Sequence, residues 1–148
     1  QLTHEQWVEG FQGLWMSAVD AMSAAIPGMK TQKWGRVIMI TSLVAKEPSI
    51  PLTISSGYRA GLTGLCKSVA NEVAPFNVTV NAVLPGYTMT DRLKELGVDL
   101  EKVAQDIPAK RIGKPEELAA LVAFLVSEPA AYITGQSILC DGGATKGI

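Results

Sequence analysis

One histidine, His4, and two cysteines, Cys66 and Cys140, are the only imidazole and thiol groups in 148 residues. With a single histidine at residue 4, neither a His-based zinc site nor a Ser-His-Asp triad is expected. The cysteines also lack the paired spacing of a metal site, so no metal is expected. The segments that stand out carry hydroxyl, guanidinium and backbone groups. Ser42 closes a short apolar run, and Ser55, Tyr58 and Arg59 follow together in a helical pattern. Pro85-Gly86-Tyr87-Thr88-Met89-Thr90 follows a second apolar run. Each has a plain alternative role. A serine after a buried strand often caps the turn. Tyr58 lies three residues after Ser55, about 300° of helical rotation, so its side chain points about 60° away from the Ser55 direction. That direction suits packing against a neighbouring helix better than donating a proton. In the third segment, proline stiffens a strand end and glycine lets the backbone approach closely.

The elements that position these residues read off the apolar spacing. T-H-E-Q at 3–6 is a possible capping box. Behind it Trp7, Phe11, Leu14, Trp15, Ala18, Met22, Ala25 and Ile26 recur at three and four, predicting one helix face ended by Pro27-Gly28. Residues 36–41 (R-V-I-M-I-T) predict a strand buried on both faces. A helix follows over about 55–74, stopped by Pro75, and then a strand over 77–84. Residues 89–113 are the least regular, with a short helical pattern after Asp99. A connection of that length is usually functional or mobile. Pro115-Glu116-Glu117 suits a helix start. Residues 136–140 predict a third strand, and Asp141-Gly142-Gly143 a turn. Alternation of helix and strand predicts parallel strands joined by right-handed crossovers. The strand at 37–40 would then have an open edge, which is a liability for a buried-type strand.

Composition narrows the function classes. Apolar residues make up 47% of the chain and charged residues 18%, enough for a real core and wrong for a disordered chain. Thirteen Lys plus Arg against fourteen Asp plus Glu give a net charge of −1, with no long run of either sign. That leaves no electrostatic footprint for nucleic acid or an anionic membrane. The longest apolar run, 118–126, is nine residues, about half of what a membrane span needs. With no signal-peptide pattern after Gln1 and so few cysteines, the expectation is a soluble, cytoplasmic chain.

The blocks W-G-R-V-I-M-I-T-S (34–42), R-A-G-L-T-G-L (59–65), N-E-V-A-P-F-N-V-T-V-N-A-V-L-P-G (71–86) and Y-I-T-G-Q-S-I-L-C-D-G-G (132–143) resemble the short-chain dehydrogenase/reductase family. Within it they look most like the 3-oxoacyl-carrier-protein reductase branch. The resemblance implies an α/β, Rossmann-type doubly wound parallel sheet and NAD or NADP chemistry on a small carbonyl or alcohol substrate. No glycine-rich pyrophosphate turn is found: Gly57, Gly61 and Gly64 lie in a helical pattern and do not follow a strand. The chain therefore resembles the C-terminal half of a single such domain (1–148), with three parallel strands and flanking helices.

The family uses a serine, a tyrosine, a lysine four residues after the tyrosine, and an upstream asparagine. Ser42 matches the serine. Counting back from R-A-G-L-T-G-L puts Arg59 at the lysine position and Ser55 at the tyrosine position, with Leu14 near that of the asparagine. Arg59 retains a charge for ribose hydroxyls but is not a compact ammonium. Ser55 is a far weaker acid than a phenol and has a shorter reach. The resemblance also implies cofactor contacts at Pro85, Gly86, Thr88 and Thr90, a substrate lid over 89–113, and a homo-oligomer (dimer or tetramer) through the helices at 3–26 and 55–74. Two readings follow: a reductase using Ser42, Ser55, Arg59 and a water or Tyr58, or a catalytically inactive, oligomer-forming homologue or fragment.

Overall fold

The computed structural model describes residues 1–95 and 97–147. The chain enters through α1 (His4–Gly10), a π turn (Phe11–Met16) and α2 (Ser17–Gln32), which run on as one continuous rod. Thr3 and Gln6 form the expected capping box: the Gln6 amide donates to Thr3 Oγ1 at 3.3 Å, and the Thr3 amide to Gln6 Oε1 at 2.9 Å. The rod does not end at Pro27-Gly28. It continues to Gln32 and stops at Lys33, whose φ of 54° is left-handed. Proline removes one intrahelical donor, but Met22, Ile26 and Met29 pack on the core beneath it and hold the helix through the break. The π turn also escapes a pattern of threes and fours, because it adds a residue to the turn. There the Ser17 amide donates to Gln12 O, five residues back.

Three parallel strands, β1 (Gly35–Ile40), β2 (Val78–Pro85) and β3 (Ser137–Cys140), lie in the order β1-β2-β3. The register pairs Gly35 with Val78 through Ile40 with Val83, and Ala82 with Ser137 through Pro85 with Cys140. β2 is central and buried along its length except at Pro85. Its buried Asn81 ties it to the segment leading into β3, donating to Ile133 O and accepting from the Gln136 amide. β1 is not buried on both faces as its composition predicts: Val37 and Ile38 are half-buried and Ile40 is 50% exposed. The reason is position, since its outer edge borders an open groove instead of another strand.

α3 (Thr53–Val73) covers the sheet through Leu62, Cys66, Ala70 and Val73, then tightens into a 3-10 turn (Ala74–Phe76) that contains Pro75. Burial pushes the Cys66 thiol up to about 11, so it behaves as a core residue. α1 and the π turn lie across α3 at its glycines. A Cβ built on Gly61 would fall 2.7 Å from Trp15 Cζ3, and one on Gly57 would fall 3.9 Å from Trp7 Cζ3.

Residues 89–113 carry two short helices, α4 (Asp91–Glu95) and α5 (Leu100–Asp106), the second capped by Asp99. The segment is pinned at both ends. Gly113 donates to Tyr87 O at 2.9 Å and accepts from the Met89 amide at 2.8 Å. α6 (Pro115–Leu125) begins on Pro115 as expected and buries Leu125. No helix among the described residues is long and apolar enough to cross a membrane.

Candidate active site

Ser42 follows β1 and caps the 3-10 turn Leu43–Ala45, accepting the Val44 amide at 3.3 Å. The capping role is real, yet the half-buried side chain also faces a cavity of about 460 Å³ at the carboxyl ends of β1 and β2. Pro85, Gly86, Thr88 and Thr90 line the same cavity. Residues 43 positions apart in sequence therefore meet, because parallel strands bring their carboxyl ends to one side of the sheet. Thr88 Oγ1 donates to Gly86 O, and Thr90 Oγ1 accepts the Leu93 amide at the start of α4. Gly86 is required by close approach: a Cβ there would lie 2.6 Å from the Asp141 Cβ. Among the described lining residues none is charged.

Arg59 and Ser55, one turn apart on α3, are joined by a bond from Arg59 Nε to Ser55 Oγ at 3.0 Å. Arg59 also donates through NH1 to Thr41 O at 2.7 Å and to Ile40 O at 3.4 Å. The guanidinium thus anchors the end of β1 next to Ser42, and burial pushes its pKa down from the ordinary arginine value. Ser55 and Arg59 do not face the Ser42 cavity directly. Ser55 borders a recess of about 420 Å³, and Arg59 a groove of about 560 Å³ along β1. Leu14 lines both, which places an apolar side chain between them.

Tyr58 faces elsewhere, as the helical geometry predicts. Its hydroxyl donates to Trp7 O at 3.0 Å, and its ring sits 5.9 Å from Trp7 and 6.0 Å from Phe11. It lines none of the three cavities. A residue the sequence reading passed over lies in the Ser42 cavity instead: Tyr87. The available signal was its place between Gly86 and Thr88 after a buried strand.

A polar corner closes the far side of the Tyr87 backbone. Arg111 holds the Glu117 carboxylate by two bonds, one from NH1 at 2.7 Å. The Arg111 hydrogen bond and the Lys114 amide keep the Glu117 carboxyl down at about 2. Asp141 accepts the amides of Gly143 and Thr145. Burial alone would raise its pKa, but these bonds outweigh it and the net shift is downward. Gly142 and Gly143 both take positive φ in the expected turn.

The Ser42 cavity fits a nicotinamide ring: uncharged, with hydroxyls and exposed main chain, it suits a flat neutral ring bearing an amide. The Arg59 fork is of a type that suits ribose hydroxyls, but it opens on the separate groove along β1 and touches this end of the sheet through Thr41 O. The carboxyl ends of parallel strands are also where open α/β sheets bind ligands.

A family model described as "Enoyl-(Acyl carrier protein) reductase" matches residues 1–145. The chain is 45% identical over 116 residues to the 3-oxoacyl-[acyl-carrier-protein] reductase FabG of Aquifex aeolicus, covering 78% of this chain and 47% of that protein. It superposes with a TM-score of 0.97 on the crystal structure of YwfH, an NADPH-dependent reductase involved in bacilysin biosynthesis. There the identity is 38%, and the match covers 100% of this chain and 61% of the other. It also superposes on an NADPH-bound short chain oxidoreductase from Pseudomonas aeruginosa PAO1 described as containing an atypical catalytic center. In that case the TM-score is 0.89 and the identity 31%, over 99% and 60% of the two chains. The chain spans about half to three-fifths of the length of these relatives.

Proposed function

Since the chain belongs to the short-chain dehydrogenase/reductase family, we propose that the whole protein is an NAD- or NADP-dependent reductase of a small carbonyl compound, or the corresponding alcohol dehydrogenase. The observation that carries this reading is the convergence of Ser42 with Pro85, Gly86, Thr88 and Thr90 on one uncharged cavity. When bound, the nicotinamide supplies or accepts a hydride. Ser42 Oγ donates its hydrogen bond to the substrate oxygen, while its lone pair stays on the Val44 amide and fixes its direction. Arg59 orders the ribose with the donors left over from Ser55 and Thr41, and Ser55 holds the guanidinium in place. Pro85, Gly86, Thr88 and Thr90 offer main chain and hydroxyls to the cofactor.

Titrating the whole protein with NADPH and NADH by fluorescence tests this directly. Saturable binding that weakens in Arg59→Ala supports the reading, and absence of binding to either cofactor removes it. The 148 residues contain no glycine-rich strand-to-helix turn, so we expect no useful turnover from them alone.

A second reading, an inactive homologue that serves in an oligomer through the helices at 3–26 and 55–74, draws on Ser55 and Arg59 standing at the tyrosine and lysine positions. A Ser55→Tyr, Arg59→Lys variant gaining turnover over an inert parent would favour it. Turnover by the parent that is lost in Arg59→Ala would end it.

A further inference from the structure

The chain has three phenols, and only one is placed to act on a substrate held by Ser42. Tyr58 is committed to Trp7 O. Tyr132 is fully exposed, two residues beyond the 3-10 turn Glu128–Ala130 and ahead of the amino end of β3, and it lines neither the Ser42 cavity nor the β1 groove. Tyr87 lines the Ser42 cavity, and it stands between that cavity and the polar recess of Arg111, Glu117 and Asp141. Its backbone is rigid, since its carbonyl accepts from Gly113 and the next residue is bridged to Gly113. The residue is 43% exposed, so water has access to it.

We propose that Tyr87 is the proton-donating residue of this site, and that the site accepts an uncharged carbonyl compound with apolar flanks. This rests on the reductase reading above. In the reduction, hydride from the reduced nicotinamide forms the new C–H bond and the carbonyl π pair moves onto oxygen. The Tyr87 O–H bond breaks as the alcohol O–H bond forms, and the phenolate regains a proton from water at the open mouth. A phenol is a far stronger acid than the aliphatic hydroxyl of Ser55 and so the better donor of the two. Substrate choice follows from the lining. Leu43, Val44, Leu52, Leu93 and Leu118 surround the cavity, and no charged side chain among the described lining residues is there to pair with a carboxylate or phosphate. A charged group placed inside would lose hydration without a partner.

The test uses the full-length protein with NADPH and cyclohexanone, comparing the parent with Tyr87→Phe, Ser42→Ala and Tyr132→Phe. The expected result is a fall in kcat of roughly 10²-fold or more for Tyr87→Phe, with NADPH affinity unchanged and Tyr132→Phe behaving as the parent. A second arm omits cofactor and follows the ultraviolet difference spectrum of tyrosine on adding cyclohexanol. The parent and Tyr132→Phe should show a saturable perturbation that Tyr87→Phe lacks and that cyclohexanecarboxylate does not reproduce. Retained turnover in Tyr87→Phe alongside its loss in Ser42→Ala would overturn the proposal and leave the reductase reading standing. A parent that binds neither NADPH nor NADH defeats the reductase reading. A spectral change that persists in Tyr87→Phe removes Tyr87 from the pocket whatever the cofactor result.

Discussion

At the scale of single residues, Arg59 links the site to the sheet. Its bonds to Ser55 Oγ and Thr41 O are charge-assisted and partly buried. Removing them in Arg59→Ala should cost about 1–3 kcal/mol of stability, read from the urea midpoint at constant slope, as well as weakening cofactor binding. Arg59→Lys should recover only part of this, because an ammonium cannot serve Ser55 and Thr41 with a planar fork. Ser42 and the Pro85–Thr90 segment were legible because each closes an apolar run. Tyr87 was not, because position after a Pro-Gly pair does not say which way a side chain turns. Tyr58 shows the converse: its direction followed from helical rotation alone, and its partners Trp7 and Phe11 lie on another helix.

At the scale of elements, the glycines of α3 separate by what covers them. Gly61 lies under Trp15, whereas a Cβ on Gly64 would meet nothing within 4 Å. Gly64→Ala should therefore stabilise the monomer fold by up to about 1 kcal/mol through helix propensity. Gly61→Ala should destabilise it, since overpacking of about 1–3 kcal/mol exceeds that gain. Thermal unfolding of the two variants checks the contrast. The Arg111–Glu117 pair links the 89–113 segment to α6. Glu117 sits at about 2 when folded against 4.5 for the free group, so it contributes above about pH 4.5 and the contribution fades as pH falls toward 2. The unfolding midpoints of the parent and Glu117→Gln should accordingly differ at pH 7, converge in acid, and differ less in high salt. Element types were read from local spacing with good fidelity, because strand and helix periods differ. The end of the first helix was misplaced, because packing of Ile26 and Met29 overrides the local effect of Pro27.

At the scale of these 148 residues as a whole, the open edge of β1 dominates. It leaves strand donors and acceptors beside a groove of about 560 Å³, with Ile40 half exposed. Such an edge templates association, so the 148-residue chain by itself should self-associate. Ile38→Lys should reduce that, as measured by light scattering and native mass. Sequence alone determined the alternation of helix and strand, the parallel sheet and the family. Each of these is written in local periodicity or in short ordered blocks. Tertiary structure decided that β1 is half exposed, that the first rod passes through Pro27, that Arg59 turns to the β1 carbonyls, and that Tyr87 joins Ser42. These outcomes depend on which surfaces meet across the sheet, and side-chain spacing along one segment carries no record of what lies opposite it.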